Sequence, residues 1–152
     1  TGHLQREFCA AGLYFSIARL SHAGRRVVVK TDRGQVFVWD GVTGRLHRQL
    51  SLTGALLLLP GGQYIAAINS SEASMWDVET GERLRKLEAN AGLLFLLSGS
   101  RAPPRVAVSA CGQLLAACKS HHPLPRSFLA DRMVVFAVWH ARSGRLLLEE
   151  VL

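Results

Sequence analysis

No Cys-x-x-Cys pair occurs in this chain, and Cys9, Cys111 and Cys118 are an odd number spread over 152 residues. That spacing does not suit a disulfide scaffold. It fits a reducing compartment, so an intracellular and cytoplasmic protein is expected. Long apolar runs are also missing. Runs such as Ala55 to Leu59 and Gly92 to Leu97 are far too short to cross a bilayer. No signal-peptide pattern opens the chain, and Thr1 is not an initiator Met. A cut start is therefore expected, and targeting is not readable. No Ser-His-Asp order, Gly-rich phosphate loop or paired-carboxylate pattern stands out. Glu149 and Glu150 read as a solvated strand end. Cys118, His121 and His122 are too few for the four ligands zinc needs, and no second pair stands nearby. The expectation is a non-enzyme with no catalytic residue, no cofactor and no metal.

What is present excludes a disordered chain. Hydrophobic residues make up 49 % and charged residues 19 %, at a length suited to one domain with a sizeable core. Lysine is scarce, at 3 against 15 arginines, and the net charge is +7. Such a charge permits contact with nucleic acid or another anionic surface. No interleaving of aromatic with basic residues supports it, so a solvated Arg-rich surface is the preferred account of the charge.

Three stretches are versions of one another: Val36 to Leu50, Ala73 to Leu87 and Val135 to Leu152. Each has a β-rich run ending in Trp39, Trp76 or Trp139, with Gly44, Gly81 or Gly144 five residues later. Thr43, Thr80 or Ser143 precedes the Gly, and a run with Arg and Leu follows it. Two antiparallel strands joined by a tight turn account for this pattern. The Gly supplies a positive φ, and the hydroxyl bonds back to the turn.

The pairs Trp39-Asp40 and Trp76-Asp77, with the departing Trp139-His140, make the chain resemble the WD-repeat β-propeller family. A quinoprotein propeller also carries Thr-Gly turns, but there Asp follows a small residue and Trp ends the last strand. The resemblance implies an all-β, partial WD-repeat propeller. It would have three four-stranded antiparallel blades and one leading strand from a preceding blade. That leading strand is 1–8, since Thr1, Gly2, Leu4 and Arg6 match Thr43, Gly44, Leu46 and Arg48. Blade one is then 13–50, blade two 54–87 and blade three 88–152. In the family the Trp joins a hydrogen-bond network with a His, a Ser or Thr in the second strand and a turn Asp. Here no Gly-His pair precedes a blade, the second strands VVVK, YIAAI and LLAAC offer no central hydroxyl, and only Asp32 suits the turn. The expectation is blades held mostly by apolar packing. Three blades do not close a ring, so both end faces should be apolar and open, as in a piece of a longer protein.

Trp39 to Trp76 is a step of 37 residues, and Trp76 to Trp139 is a step of 63. The surplus falls in two places, within Glu88 to Pro104 and within Lys119 to Asp131. Strands alternate in direction, so both insertions emerge on one face of blade three. Long loops either carry function or decorate. They hold the candidate partner-binding residues Arg101, Arg105, Lys119, His121, His122, Arg126, Phe128 and Arg132. Arg can grip a carboxylate through two N–H groups, and Phe128 with Leu129 can anchor a partner or pin the loop. Two functions stay open: a non-catalytic protein-interaction scaffold, with protein partners and the remaining blades of a parent chain, or a nucleic-acid or anionic-surface binder.

Overall fold

The computed structural model describes residues 14–21, 23–98, 104–121 and 133–152. The expected leading strand at 1–8 lies outside them. Twelve strands form three four-stranded antiparallel sheets, each a meander in chain order. The first is β1 (Phe15–Leu20), β2 (Arg26–Thr31), β3 (Gln35–Asp40) and β4 (Leu46–Ser51). The second is β5 (Ala55–Leu58), β6 (Tyr64–Ile68), β7 (Ala73–Asp77) and β8 (Arg83–Lys86). The third is β9 (Arg105–Val108), β10 (Leu114–His121), β11 (Met133–His140) and β12 (Leu146–Val151). First strands neighbour one another, β1 beside β5 and β5 beside β9. The sheets are thus blades set around a common axis, with fourth strands outermost. Those outer strands are largely exposed, whereas β5 is fully buried.

Blades stacked face to face bury both surfaces of their middle strands, which is why residues 27–29 and 65–68 are apolar at every position rather than alternating. Val28, Val36, Val38 and Leu50 of blade one meet Leu56, Leu58, Ile65 and Ala67 of blade two. Ala66, Ile68, Ala73 and Met75 on the other side of blade two meet Leu115, Ala117, Val135 and Trp139 of blade three. Each Trp faces the preceding blade position: Trp139 toward blade two, Trp76 toward blade one, and Trp39 into a cluster with Val27, Val29 and Phe37. The last cluster is buried, and Phe15 stands edge-on to Trp39 at 6.4 Å. This part of the blade-one face is therefore buried rather than open as expected, whereas Phe15 and Leu20 of β1 are exposed. The blade-three end face, with Val134, Phe136, Val138 and Leu148, is half-buried to exposed.

The third-to-fourth strand turns share one construction. The Gly44, Gly81 and Gly144 N–H groups donate to the carbonyls of Asp40, Asp77 and His140 at 2.8–2.9 Å. All three Gly have φ between 72° and 77°, the region an L side chain avoids. Asp40 Oδ1 accepts from the N–H of Val42 and Thr43 and from the Thr43 hydroxyl, and Asp77 Oδ1 accepts from the N–H of Glu79 and Thr80. At the third turn His140 Nδ1 takes over and accepts from Ser143 N–H at 3.2 Å. Imidazole can stand there because Ser143 N–H needs only one acceptor, which Nδ1 supplies. Past each turn the register slips by one residue, leaving His47, Leu84 and Leu147 unpaired in identical bulges.

One helix, α1 (Ala91–Ser98), interrupts the all-β pattern within the first insertion. Asn90 caps it, its Oδ1 accepting from Leu93 N–H at 2.7 Å. Leu93, Leu94 and Leu97 lie on one side and join the core between blades two and three. The insertion is therefore partly a core element rather than a free loop.

Candidate functional site

The two insertions start from the same end of blade three, opposite the Gly turns. Arg105 opens β9 and is exposed, directly across from Cys118 of β10. Lys119 was expected at the edge of a loop, but it sits within β10, 5 % exposed, because the hairpin continues to His121 paired with Met133. Its Nζ is buried without a hydrogen-bond partner, and burial pushes its amine below the ordinary value. Arg101, His122, Arg126, Phe128 and Arg132 lie outside the described residues. The structure therefore brings only Arg105 and Lys119 into one sheet, on neighbouring strands. On α1 beside them Phe95 is 65 % exposed. Among the described residues no three His, Cys, Asp or Glu gather to hold a metal, and no helix is long and apolar enough to cross a membrane.

The Trp indoles find partners that sequence reasoning missed. Trp76 Nε1–H donates to Ser74 Oγ at 3.0 Å, and the Ser74 hydroxyl donates to Glu72, which also holds Arg83 at 2.9 Å. Trp139 Nε1–H donates to the Glu88 carbonyl at 2.6 Å. Ser74 lies on the third strand, two residues before the Trp, where alternation points both side chains to one face. That period-two spacing was the available signal. Apolar packing is thus supplemented by polar ties of a different kind from those the resemblance implied.

At the opposite end, an ionic cluster clamps blades one and two. Arg26 donates to Asp40 at 2.7 Å within blade one and to Glu79 of blade two at 2.5 Å. His47 Nε2 lies 2.8 Å from the other Glu79 oxygen. The Arg26 guanidinium holds the Glu79 carboxyl below its usual range. Asp40 is lowered from 3.8 to about 2, first by the Thr43 N–H and then by the Thr43 hydroxyl, with Val42 N–H and Arg26 adding to it. A folded-state value below the unfolded one means stability that is present above 3.8 and lost as pH falls toward 2. Urea unfolding followed across this window should show wild type weakening as acid is added. Asp40→Asn, which keeps the oxygen acceptor without the charge, should weaken less steeply. Equal slopes would mean the turn does not depend on the ionised form.

No protein-family model and no curated protein matches this chain. Solved structures do. The computationally designed Ika4 protein aligns at TM-score 0.64 and 18 % identity, over 99 % of this chain and 80 % of that one. A chain of the mitotic checkpoint complex aligns at TM-score 0.62 and 16 % identity, over 93 % of this chain and 38 % of that one. U3-55K aligns at TM-score 0.64 and 14 % identity, over 97 % of this chain and 41 % of that one. This chain thus spans well under half the length of the latter two. At such identities the likeness speaks to architecture alone, and what it shows is a β-propeller fold of which three blades are described.

Proposed function

We propose that this chain is part of a WD-repeat propeller and serves as a non-catalytic protein-interaction scaffold within a larger intracellular protein. The observation that carries the reading is the asymmetry of blade three. Blades one and two are minimal meanders, while blade three alone carries two additions at one end. One of them invests a capped helix whose Leu93, Leu94 and Leu97 are buried while Phe95 faces solvent. Three repeats of the Trp-x₄-Gly turn, two with Asp as the capping acceptor, support the WD assignment. Similarity to a chain of the mitotic checkpoint complex, itself an assembly, is consistent with protein partners. The nucleic-acid alternative has less behind it, since Arg26 and Arg83 are committed to carboxylates and the exposed Arg19, Arg45 and Arg105 are divided between blade one and blade three.

The partner surface proposed is the insertion end of blade three, with Arg101, Arg105, Lys119, His121, His122, Arg126, Phe128 and Arg132 as its candidates. Deleting Ser120 to Phe128 and joining the ends with a short Gly turn tests it. The fold should survive, since the deletion takes only the last two residues of β10 and closing a shorter loop costs little. Partners recovered by the intact protein in quantitative affinity purification should be lost by the deletion. Recovery of the same partners in the same amounts would refute the surface. Binding to a DNA or RNA oligonucleotide that weakens with salt and outcompetes protein partners would favour the alternative.

A further inference from the structure

The seam between blades one and two is closed by charge, and the seam between blades two and three is not. The repeat aligns the two seams residue by residue. Strand pairing sets Arg26 opposite Asp40 and Tyr64 opposite Asp77, so Tyr64 stands where Arg26 does. The bulges place Leu84 where His47 does. The turns place Arg142 where Glu79 does, two residues past His140 and Asp77 respectively. Where the first seam has a carboxylate gripped by Arg26 and His47, the second has an Arg facing a phenol ring and a Leu.

The consequence is space. A cleft of about 420 Å³ opens at the second seam, with Leu59 and Met75 in its floor and Tyr64 and Leu84 on its wall. It falls within the usual size range of ligand pockets. Turn packing differs in the same direction. A side chain at Gly62 would stand 2.7 Å from Ser21, whereas one at the equivalent Gly112 would stand 3.5 Å from Pro60. Arg85 and Arg142 both line the cleft, and Arg85 Nη1 donates to the Arg142 carbonyl. Two guanidinium groups share one rim, and among the described residues no carboxylate pairs with either. Leu84 beside them is 44 % exposed.

We propose that this seam is a binding cleft for an extended acidic peptide of a partner protein. Its carboxylate bridges Arg85 and Arg142, supplying the negative charge that Glu79 supplies in the neighbouring seam, and its adjacent apolar side chain lies against Tyr64 and Leu84. Charge complementarity selects the acidic group, since Arg binds carboxylate in a planar, two-bond geometry. The apolar wall selects a large hydrophobic neighbour over a free anion. This cleft lies at the Gly-turn end of the blades, so it is independent of the insertion surface proposed above.

The test uses the full chain and a capped hexapeptide, Gly-Glu-Phe-Glu-Leu-Gly, against its counterpart with Gln at both Glu positions. Isothermal titration should show the acidic peptide binding at least tenfold more tightly, with the difference shrinking in high salt. Arg142→Glu rebuilds the closed seam by supplying the carboxylate opposite Arg85. It should weaken the acidic peptide at least tenfold while the unfolding midpoint holds or rises. Cys111 lines the cleft, with its thiol 3.4 Å from the Ser109 hydroxyl, which lowers its pKa and aids alkylation. In the wild-type protein the acidic peptide should therefore slow iodoacetamide labelling of Cys111, mapped by mass spectrometry. This second readout stands even if the variant fails to fold. Both effects should persist when Ser120 to Phe128 is deleted, which separates this cleft from the insertion surface. Equal binding of both peptides, no protection of Cys111, or undiminished binding by Arg142→Glu overturns the proposal. So does a single-stranded oligonucleotide that binds more tightly and is lost on the same substitution.

Discussion

Gly144→Ala is expected to destabilise the fold by about 2–4 kcal/mol, the sum of a strained backbone and a collision with a neighbouring blade. Gly144 has φ of 77°, where an L residue loses about 1 kcal/mol or more against Gly. A Cβ there would also stand 2.7 Å from the Lys86 carbonyl oxygen of blade two. That oxygen belongs to the backbone and cannot swing aside. The Gly144 carbonyl meanwhile accepts from Glu88 N–H at 2.8 Å, so any retreat breaks an inter-blade bond. Two other glycines separate the terms. Gly34 has φ of 80° with nothing within 4 Å of its missing Cβ, so Gly34→Ala should report the strain alone. Gly81 at the equivalent turn would meet the Leu50 and Arg48 side chains at 3.0–3.1 Å, which can shift, so Gly81→Ala should fall between. Urea unfolding of the three variants measures the order. If Gly144→Ala costs no more than Gly34→Ala, the approach of the two blades is not as close as drawn.

Trp139→Ala should be costlier still, about 3–5 kcal/mol, as large aromatic deletions in a packed core are. Trp139 is fully buried between blades two and three. Its indole N–H ends on Glu88, a residue that straps the seam by three bonds. The Glu88 carbonyl accepts from Trp139, its N–H donates to Gly144, and its carboxylate accepts from Leu146 N–H at 3.0 Å. Trp139→Phe isolates the polar part, leaving that carbonyl short of a partner for about 1–3 kcal/mol. Trp76 is only half-buried, and its indole bond runs within its own blade to Ser74. Trp76→Ala should therefore cost clearly less than Trp139→Ala. Folded domains hold about 5–15 kcal/mol in reserve, so Trp139→Ala alone removes a large part of it. Near-equal losses at the two tryptophans would show that the seam, with its Glu88 strap, is not what makes Trp139 critical.

The turn motif was legible in the sequence because everything it needs lies within six residues. The acceptor at 40, 77 or 140 takes the N–H of the Thr or Ser three residues on, and the Gly after it bonds back to the acceptor residue's carbonyl, so spacing alone reports them. The blade order followed from the same repeat, since short turns between β-rich runs leave antiparallel neighbours little choice. Even α1 left a local trace, in Asn90 ahead of Leu93, Leu94 and Leu97, although the β-rich context and a short apolar run hid it.

The contacts between blades left no such trace. Glu79 reaches Arg26 across 53 residues, and Trp139 reaches the Glu88 carbonyl across 51. Nothing near Arg142 in the chain says that it will face Tyr64 and Leu84 rather than a carboxylate, nor near Lys119 that its amine will be buried. Local bonding, repeated three times, determined what each blade would be. Which side chains meet at a seam depends on how two such blades stack. That is settled by apolar area, which is non-directional and carries no sequence spacing of its own. The ion cluster, the open cleft and the buried lysine were therefore decided only when the blades came together.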